Sequence, residues 1–113
     1  MTKIYHNPRC GKSRNALTLL QEKDEDLDII EYLKTPLTEN ELTTLIQQLG
    51  ISAESLVRKG ENIYKEQYKG KNLSENQWVE AMVQNPILIE RPIVVKNGRA
   101  VIGRPPENVL EIL

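Results

Sequence analysis

A strand, a helix and a second strand follow one another at the start of this chain, and this order restricts the possible folds more than any other feature. Residues 2–6 have the pattern of a short buried strand, and residues 11–23 have the periodicity of a helix. Residues 27–33 supply a second strand pattern that contains Ile29 and Ile30. Two strands joined through one helix favour a parallel pair with a right-handed crossover. The first third of the chain is therefore predicted to form a βαβ unit.

The last third of the chain predicts an antiparallel hairpin followed by a helix. Apolar stretches at residues 92–96 and 99–102 flank Asn97 and Gly98, a pair that is the strongest short-range signal for a hairpin. A closing helix is expected after Gly103, with prolines near its first turn. Its apolar face is expected to contain Val109, Leu110 and Leu113.

The middle of the chain is predicted to be helical. Thr38 with Glu41 has the spacing of a capping box, and so has Ser74 with Gln77. Residues 60–72 are compatible with a helix or a loop. A short helix is expected near Ser52, and Trp78 and Met82, at helical spacing, are expected in the core.

The complete order is βαβ, a helical block, and then ββα. This is the order of the thioredoxin-like fold with a helical insertion between its two halves. We therefore predict an α/β protein with a mixed sheet, forming a single domain of residues 1–113 with the insertion at about residues 36–86.

Composition restricts the partners and the location. The chain has 113 residues and a formal net charge of −1, which gives no reason to expect nucleic acid or an anionic membrane as a partner. It contains no apolar run long enough for a bilayer and no pattern of a signal peptide. A single cysteine suits a reducing compartment, so a cytoplasmic location is expected. One cysteine and one histidine are too few ligands for a zinc site, and no bound metal is expected.

Cys10 lies where the first strand is predicted to give way to the helix. A thiol at the N-terminus of a helix meets unpaired backbone N–H groups and the positive end of the helix dipole, and both favour the thiolate. Arg9, Lys12 and Arg14 add positive charge nearby. A lone cysteine is most often a small buried hydrophobic residue, but these charged neighbours argue against a core position. Cys10 is therefore a candidate nucleophile, and any thiol redox cycle must take its second sulfur from another molecule.

Four short segments resemble those of the glutaredoxin-coupled arsenate reductases, and they occur in the order of that family. They are residues 5–14 (YHNPRCGKSR), 56–59 (LVRK), 90–95 (ERPIVV) and 103–105 (GRP). The resemblance covers essentially the whole chain. It implies a thioredoxin-like sheet with an inserted helical subdomain.

The resemblance also implies a role for each matching residue. Cys10 would attack the arsenic of arsenate, while Arg58, Arg91 and Arg104 would surround the oxyanion, and Pro92 would be a cis proline opposite the cysteine. Four further residues would hold the loop and favour the thiolate: His6, Asn7, Ser13 and Arg14. Glutathione would serve as co-substrate and glutaredoxin as protein partner, with arsenate or a related oxyanion as substrate and no bound cofactor.

The chemistry of an oxyanion agrees with these residue types. A tetrahedral oxyanion needs N–H donors and fixed positive charge, and the planar guanidinium of arginine donates paired hydrogen bonds while staying charged. Arg91 and Arg104 each precede a proline, which favours an extended or turn conformation. Arg58 and Arg14 lie in predicted helices, where an arginine usually belongs to a solvated face.

Two other functions remain open from the sequence. A small monothiol oxidoreductase of the glutaredoxin type, acting on glutathione mixed disulfides, would also need one reactive cysteine. Redox-sensing transcription regulators that bind RNA polymerase share this fold, but they typically carry a C-x-x-C pair. Here Ser13 occupies the second position of that pair, so a disulfide switch within the chain is impossible.

Overall fold

The computed structural model describes all residues from 1 to 113 and contains two compact units. The first unit combines residues 1–35 with residues 91–113, so it is assembled from both ends of the chain. The second unit consists of residues 36–90.

The first unit is built on a mixed four-stranded sheet in the order β2-β1-β3-β4. Its strands are β1 (Thr2–His6), β2 (Leu27–Glu31), β3 (Ile93–Lys96) and β4 (Arg99–Ile102). Strands β1 and β2 are parallel, and the other two neighbouring pairs are antiparallel. The predicted α/β class and mixed sheet are confirmed.

The hairpin between β3 and β4 turns at the two residues that the sequence indicates. Asn97 has φ 52° and Gly98 has φ 76°, the positive values that a tight hairpin turn requires at both central positions. Asparagine and glycine are the residues that reach this region at least cost.

Helix α1 (Gly11–Glu22) and a closing 3₁₀ helix (Pro106–Ile112) pack with the sheet around one core. The buried residues of that core are Ile4, Ala16, Leu20, Val94, Val109 and Ile112. The apolar face predicted for the closing helix is wrong in two positions, because Leu110 and Leu113 are exposed. A 3₁₀ helix has three residues per turn, so Val109 shares its buried face with Ile112.

The second unit is helical, with α2 (Glu39–Leu49), α3 (Asn62–Gln67) and α4 (Glu75–Gln84). Both predicted capping boxes are formed, at the starts of α2 and α4, and these two helices pack together. The helix expected near Ser52 is a single 3₁₀ turn (Glu54–Leu56), and a second 3₁₀ turn (Pro86–Leu88) follows α4. Trp78 is buried as expected, and none of the helices is both long and apolar enough to cross a bilayer.

Helix α3 occupies the stretch for which the sequence allowed a helix or a loop. None of its residues is buried. Instead, Tyr64 and Tyr68 bring their rings to 6.3 and 6.1 Å from the ring of Trp78. This segment is therefore held by aromatic contacts across the unit, which local periodicity does not reveal.

Candidate active site

Cys10 is the N-cap residue of α1 and is only partly buried. Its backbone is extended, with φ −93° and ψ 122°, and its carbonyl accepts the first helical hydrogen bond from the Arg14 N–H at 3.0 Å. The Cys10 N–H donates to the Asn7 carbonyl at 3.0 Å, which closes a tight turn. The first turn of α1 contains no acidic residue. The thiol therefore lies at the positive end of a helix with no carboxylate in that turn to oppose the dipole.

Two arginines from the other end of the chain reach the sulfur. Arg104 Nη2 donates to Cys10 Sγ at 3.3 Å, and the side chain of Arg91 also hydrogen-bonds the sulfur. Arg91 itself is buried, with 8% of its surface exposed. The structure thus brings three of the predicted site residues together.

The pKa of the Cys10 thiol is lower than that of a free cysteine. Burial by itself raises this pKa. The backbone N–H groups of Ser13 and Lys12 act in the opposite direction, and so do the Arg91 hydrogen bond and the positive charge of Arg104. The N–H groups and arginines outweigh desolvation, so the thiolate is favoured.

Hydrogen bonds among three buried polar residues, His6, Asn7 and Ser13, hold the loop that precedes Cys10. His6 Nδ1 lies 2.6 Å from Ser13 Oγ, and the Asn7 N–H donates to the same oxygen at 3.1 Å. Asn7 Oδ1 accepts from the Arg9 N–H at 3.0 Å. His6, Asn7 and Ser13 are all buried. Their hydrogen bonds tie the end of β1 to the first turn of α1.

The protonated form of the His6 imidazole is disfavoured at this buried position. Burial lowers the pKa of His6, Glu31 opposes this, and Arg14 adds to it, so the pKa falls below its ordinary value. The imidazole is therefore neutral near pH 7. The side chain of Arg14 is exposed, and its Nη1 donates to the Pro8 carbonyl at 3.0 Å, which supports the same loop.

A second loop positions the two arginines. Arg104 Nε donates to the Arg91 carbonyl at 2.8 Å, and the Gly103 N–H donates to the Pro92 carbonyl at 2.9 Å. The Arg91–Pro92 peptide bond is cis, as the resemblance implied, and the Arg104–Pro105 bond is also cis, which the sequence did not indicate.

Arg58 belongs to the second unit. The sequence predicts a helix at this residue, but the residue lies outside any helix. It follows Val57, which pairs with Ile89 in an isolated β-bridge, and its N–H donates to the Leu88 carbonyl at 2.7 Å. This pairing of two extended segments replaces the helix that the local pattern favoured.

Two carboxylates hold the Arg58 guanidinium, and sequence reasoning assigned neither of them to the site. Nε is 3.1 Å from Glu61 Oε2, and Nη1 is 2.7 Å from Glu90 Oε1. Burial lowers the pKa of Arg58, but the two carboxylates raise it above its ordinary value. The one available signal was the position of Glu90 directly before Arg91 in a family-like segment. The role of Arg58 at the cysteine remains a prediction.

Metal binding has no obvious location in this structure. No group of three or more histidine, cysteine, aspartate or glutamate side chains is placed to hold a metal ion.

The mixed sheet, the helix beginning at the cysteine and the thiol of lowered pKa define a single-cysteine protein of the thioredoxin-like class. A sequence model of the ArsC family matches residues 5–112. The chain therefore belongs to the ArsC family.

Its relatives include proteins named arsenate reductase and one named as an uncharacterized protein. The chain is 52% identical to the uncharacterized protein YfgD of Escherichia coli strain K12, over 98% of this chain and 95% of that protein. It is 44% identical to the arsenate reductase of the same strain, over 97% of this chain and 79% of that enzyme. The solved structure of an arsenate reductase from Vibrio cholerae superposes with a TM-score of 0.96 at 48% identity, covering 99% of this chain and 97% of that one. This likeness confirms the predicted thioredoxin-like fold.

Proposed function

We propose that this protein is an arsenate reductase in which Cys10 is the nucleophile and glutathione with glutaredoxin is the external reductant. The arsenate reductases among its relatives support the substrate. The observation that carries the proposal is the contact of Cys10 Sγ with Arg104 Nη2 at 3.3 Å, beside the hydrogen bond from Arg91. One sulfur thus sits beside two guanidinium groups that can bind a tetrahedral oxyanion.

The first step is attack of the Cys10 thiolate on arsenic. A sulfur–arsenic bond forms, and one arsenate oxygen leaves as water after taking up protons. Arg91 and Arg104 stabilise the negative charge that builds on the remaining oxygens, because guanidinium groups stay charged and donate paired hydrogen bonds. Arsenic is still pentavalent at this stage.

Reduction needs two electrons, and these come from outside the chain. The thiol of glutathione replaces a second oxygen on arsenic, which again leaves as water. The glutaredoxin thiolate then attacks the glutathione sulfur and forms a mixed disulfide with it. The bond between the glutathione sulfur and arsenic breaks, and its electron pair remains on arsenic. Arsenic becomes trivalent, and water releases arsenite from Cys10. A chain with one cysteine can contribute only one sulfur, so this external route fits its composition.

Arg58 is proposed as the third arginine for the oxyanion. Two of its N–H donors are engaged by Glu61 and Glu90. A guanidinium has five donors, so donors remain for an oxyanion. His6, Asn7, Ser13 and Arg14 are proposed to hold the cysteine loop, in keeping with the hydrogen bonds that join its two ends.

The proposal is tested with a coupled assay on the purified protein. Arsenate, glutathione, glutaredoxin, glutathione reductase and NADPH are supplied, and NADPH consumption is followed. We expect turnover that requires both glutathione and glutaredoxin and that is lost in Cys10→Ser, with the circular dichroism spectrum of that variant unchanged. Full turnover by Cys10→Ser would exclude Cys10 as the nucleophile.

The lowered pKa of Cys10 also suits a monothiol oxidoreductase acting on glutathione mixed disulfides. The same assay without arsenate, with a glutathionylated peptide as substrate, separates the two functions. Deglutathionylation that survives replacement of Arg91 and Arg104, with no arsenate turnover, would favour the oxidoreductase. A cytoplasmic location is proposed for either function, because the thiol must stay reduced.

A further inference from the structure

A cavity of about 240 Å³ lies at the carboxyl ends of the two parallel strands. His6 ends β1 and Glu31 ends β2, and the two residues are paired in the sheet register. The cavity is lined by residues 6–9 from the loop after β1 and by Glu31, Leu33 and Lys34 from the end of β2. Ligands of open α/β sheets bind outside the carboxyl ends of parallel strands. This cavity therefore occupies a position where a ligand is expected.

Charged side chains of both signs line the cavity. Arg9 and Lys34 supply two cations, and Glu31 supplies one carboxylate. Glu31 Oε1 is shielded from solvent, and the Lys34 ammonium forms an ion pair with it at 3.3 Å. Because the Lys34 side chain is largely exposed, this ion pair is weak, so a ligand that carries both a carboxylate and an ammonium group can bind to its two halves. Leu33, a partly exposed apolar side chain, provides a surface for a short carbon chain.

Building on the arsenate reductase function proposed above, we propose that this cavity is the binding subsite for the thiol co-substrate. The occupant is a small peptide thiol with two carboxylates and one ammonium group, which is the charge pattern of glutathione. Lys34 binds the α-carboxylate and Glu31 the ammonium group of the γ-glutamyl end, and Arg9 binds the carboxylate of the glycine end. Ligand pockets usually have about 300 Å³ or more, so this smaller cavity holds the γ-glutamyl end of the tripeptide and leaves the central cysteine outside.

The geometry of the loop places such a thiol near Cys10. The Cys10 N–H bonds to the Asn7 carbonyl at 3.0 Å, so the turn that carries the nucleophile also forms a wall of the cavity. Residues at the two ends of a tight turn lie less than about 7 Å apart. An extended peptide spans about 3.5 Å per residue, so a tripeptide anchored in the cavity can bring its sulfur to the arsenic on Cys10.

Binding is tested with S-methylglutathione, which keeps the charges but cannot react. It is titrated into the Cys10→Ser protein, and amide NMR shifts are followed. We expect the largest shifts at His6, Asn7, Arg9 and residues 31–34, and a dissociation constant that rises about fivefold in Lys34→Glu, the range of a partly exposed ion pair. Lys23→Glu is the matched control, because Lys23 is exposed, makes the same charge change and follows the far end of α1, roughly 18 Å from Cys10. Shifts confined to other residues, or equal affinities of the two variants, would overturn the subsite.

Kinetics separate this proposal from the reductase function on which it rests. In the coupled assay, Lys34→Glu is expected to raise the KM for glutathione about fivefold relative to Lys23→Glu. Arsenate turnover with the same KM for glutathione in both variants would reject the subsite while the reductase function stands. Binding of S-methylglutathione that depends on Lys34, without any arsenate turnover, would support the subsite and reject the reductase function.

Discussion

The reactivity of this protein is decided at one sulfur atom, by a balance between desolvation and hydrogen bonding. Burial of Cys10 favours the neutral thiol, whereas the backbone N–H of Ser13 and the side chains of Arg91 and Arg104 favour the thiolate. The direction of the balance depends on groups that are close together in space only because the fold is formed. Removing any one of them shifts the pKa toward that of a free cysteine, which is about 8.5.

Alkylation measures this balance directly. The pH midpoint for reaction of Cys10 with iodoacetamide is expected below that of a free cysteine measured alongside it. In Arg104→Gln the midpoint should move upward, because the charge next to Sγ is lost. Arg99→Gln is the control, since Arg99 is an exposed residue of the hairpin. An unchanged midpoint in Arg104→Gln would show that this contact does not stabilise the thiolate.

The same shift links stability to pH. A group whose pKa is lower in the folded state stabilises the fold fully above its unfolded pKa, and this contribution is lost as the pH falls through the folded pKa. The thiolate of Cys10 therefore stabilises the fold above about pH 8.5, with a decreasing effect at lower pH.

Recognition of the oxyanion depends on the shape of arginine as well as on its charge. Arg91→Lys keeps the charge but loses the planar fork that donates two hydrogen bonds at once. We expect the KM for arsenate to rise about tenfold, in line with the loss of one charge-assisted hydrogen bond. Arg99→Lys makes the same replacement on the hairpin and should leave the KM unchanged. Wild-type kinetics in Arg91→Lys would exclude bidentate recognition by this residue.

At the scale of elements, the two arginines that contact Cys10 come from the segment directly before β3 and from the loop directly after β4. Gly103 lies where the chain leaves β4, directly before Arg104. A Cβ at Gly103 would lie 2.8 Å from Pro92 Cγ, 3.2 Å from Val109 Cγ1 and 3.4 Å from Ala16 Cβ. Glycine is therefore required for a close approach between the two loops that carry the arginines.

Replacement of Gly103 tests this requirement. Gly103→Ala is expected to lower the free energy of unfolding by about 1–3 kcal/mol, as overpacking of a tight interior does. Gly60→Ala is the matched control, because a Cβ there meets no atom within 4 Å. The two variants are compared by the midpoint of urea unfolding. Equal midpoints would show that the two loops can separate without cost.

The elements that the sequence predicted best are those with a local cause. Both capping boxes and the Asn97-Gly98 turn depend on residues within four positions of one another, so they could be read directly. The closing helix was placed correctly, but its buried face was misassigned because the pattern did not reveal a 3₁₀ period. The sequence allows a helix or a loop at residues 60–72, because the contacts of Tyr64 and Tyr68 with Trp78 cross the unit and leave no local pattern.

At the scale of the whole molecule, the site of Cys10 is made from the two ends of the chain. Cys10 and Arg104 are 94 positions apart in sequence, and no local spacing connects them. Their shared role was predicted only through the resemblance of four short segments to a known family. The carboxylates that hold Arg58 were missed, because a glutamate on a polar surface carries no local sign of such a contact.

The most direct measurement is the amount of arsenite formed from arsenate, determined by separating the two arsenic species after a fixed time. Wild-type protein with glutathione and glutaredoxin is compared with Cys10→Ser and with a reaction that contains no protein. We expect many moles of arsenite per mole of wild-type protein and only the background amount from Cys10→Ser. Background arsenite from the wild type, although Cys10 alkylates as a low-pKa thiol, would contradict the proposed function.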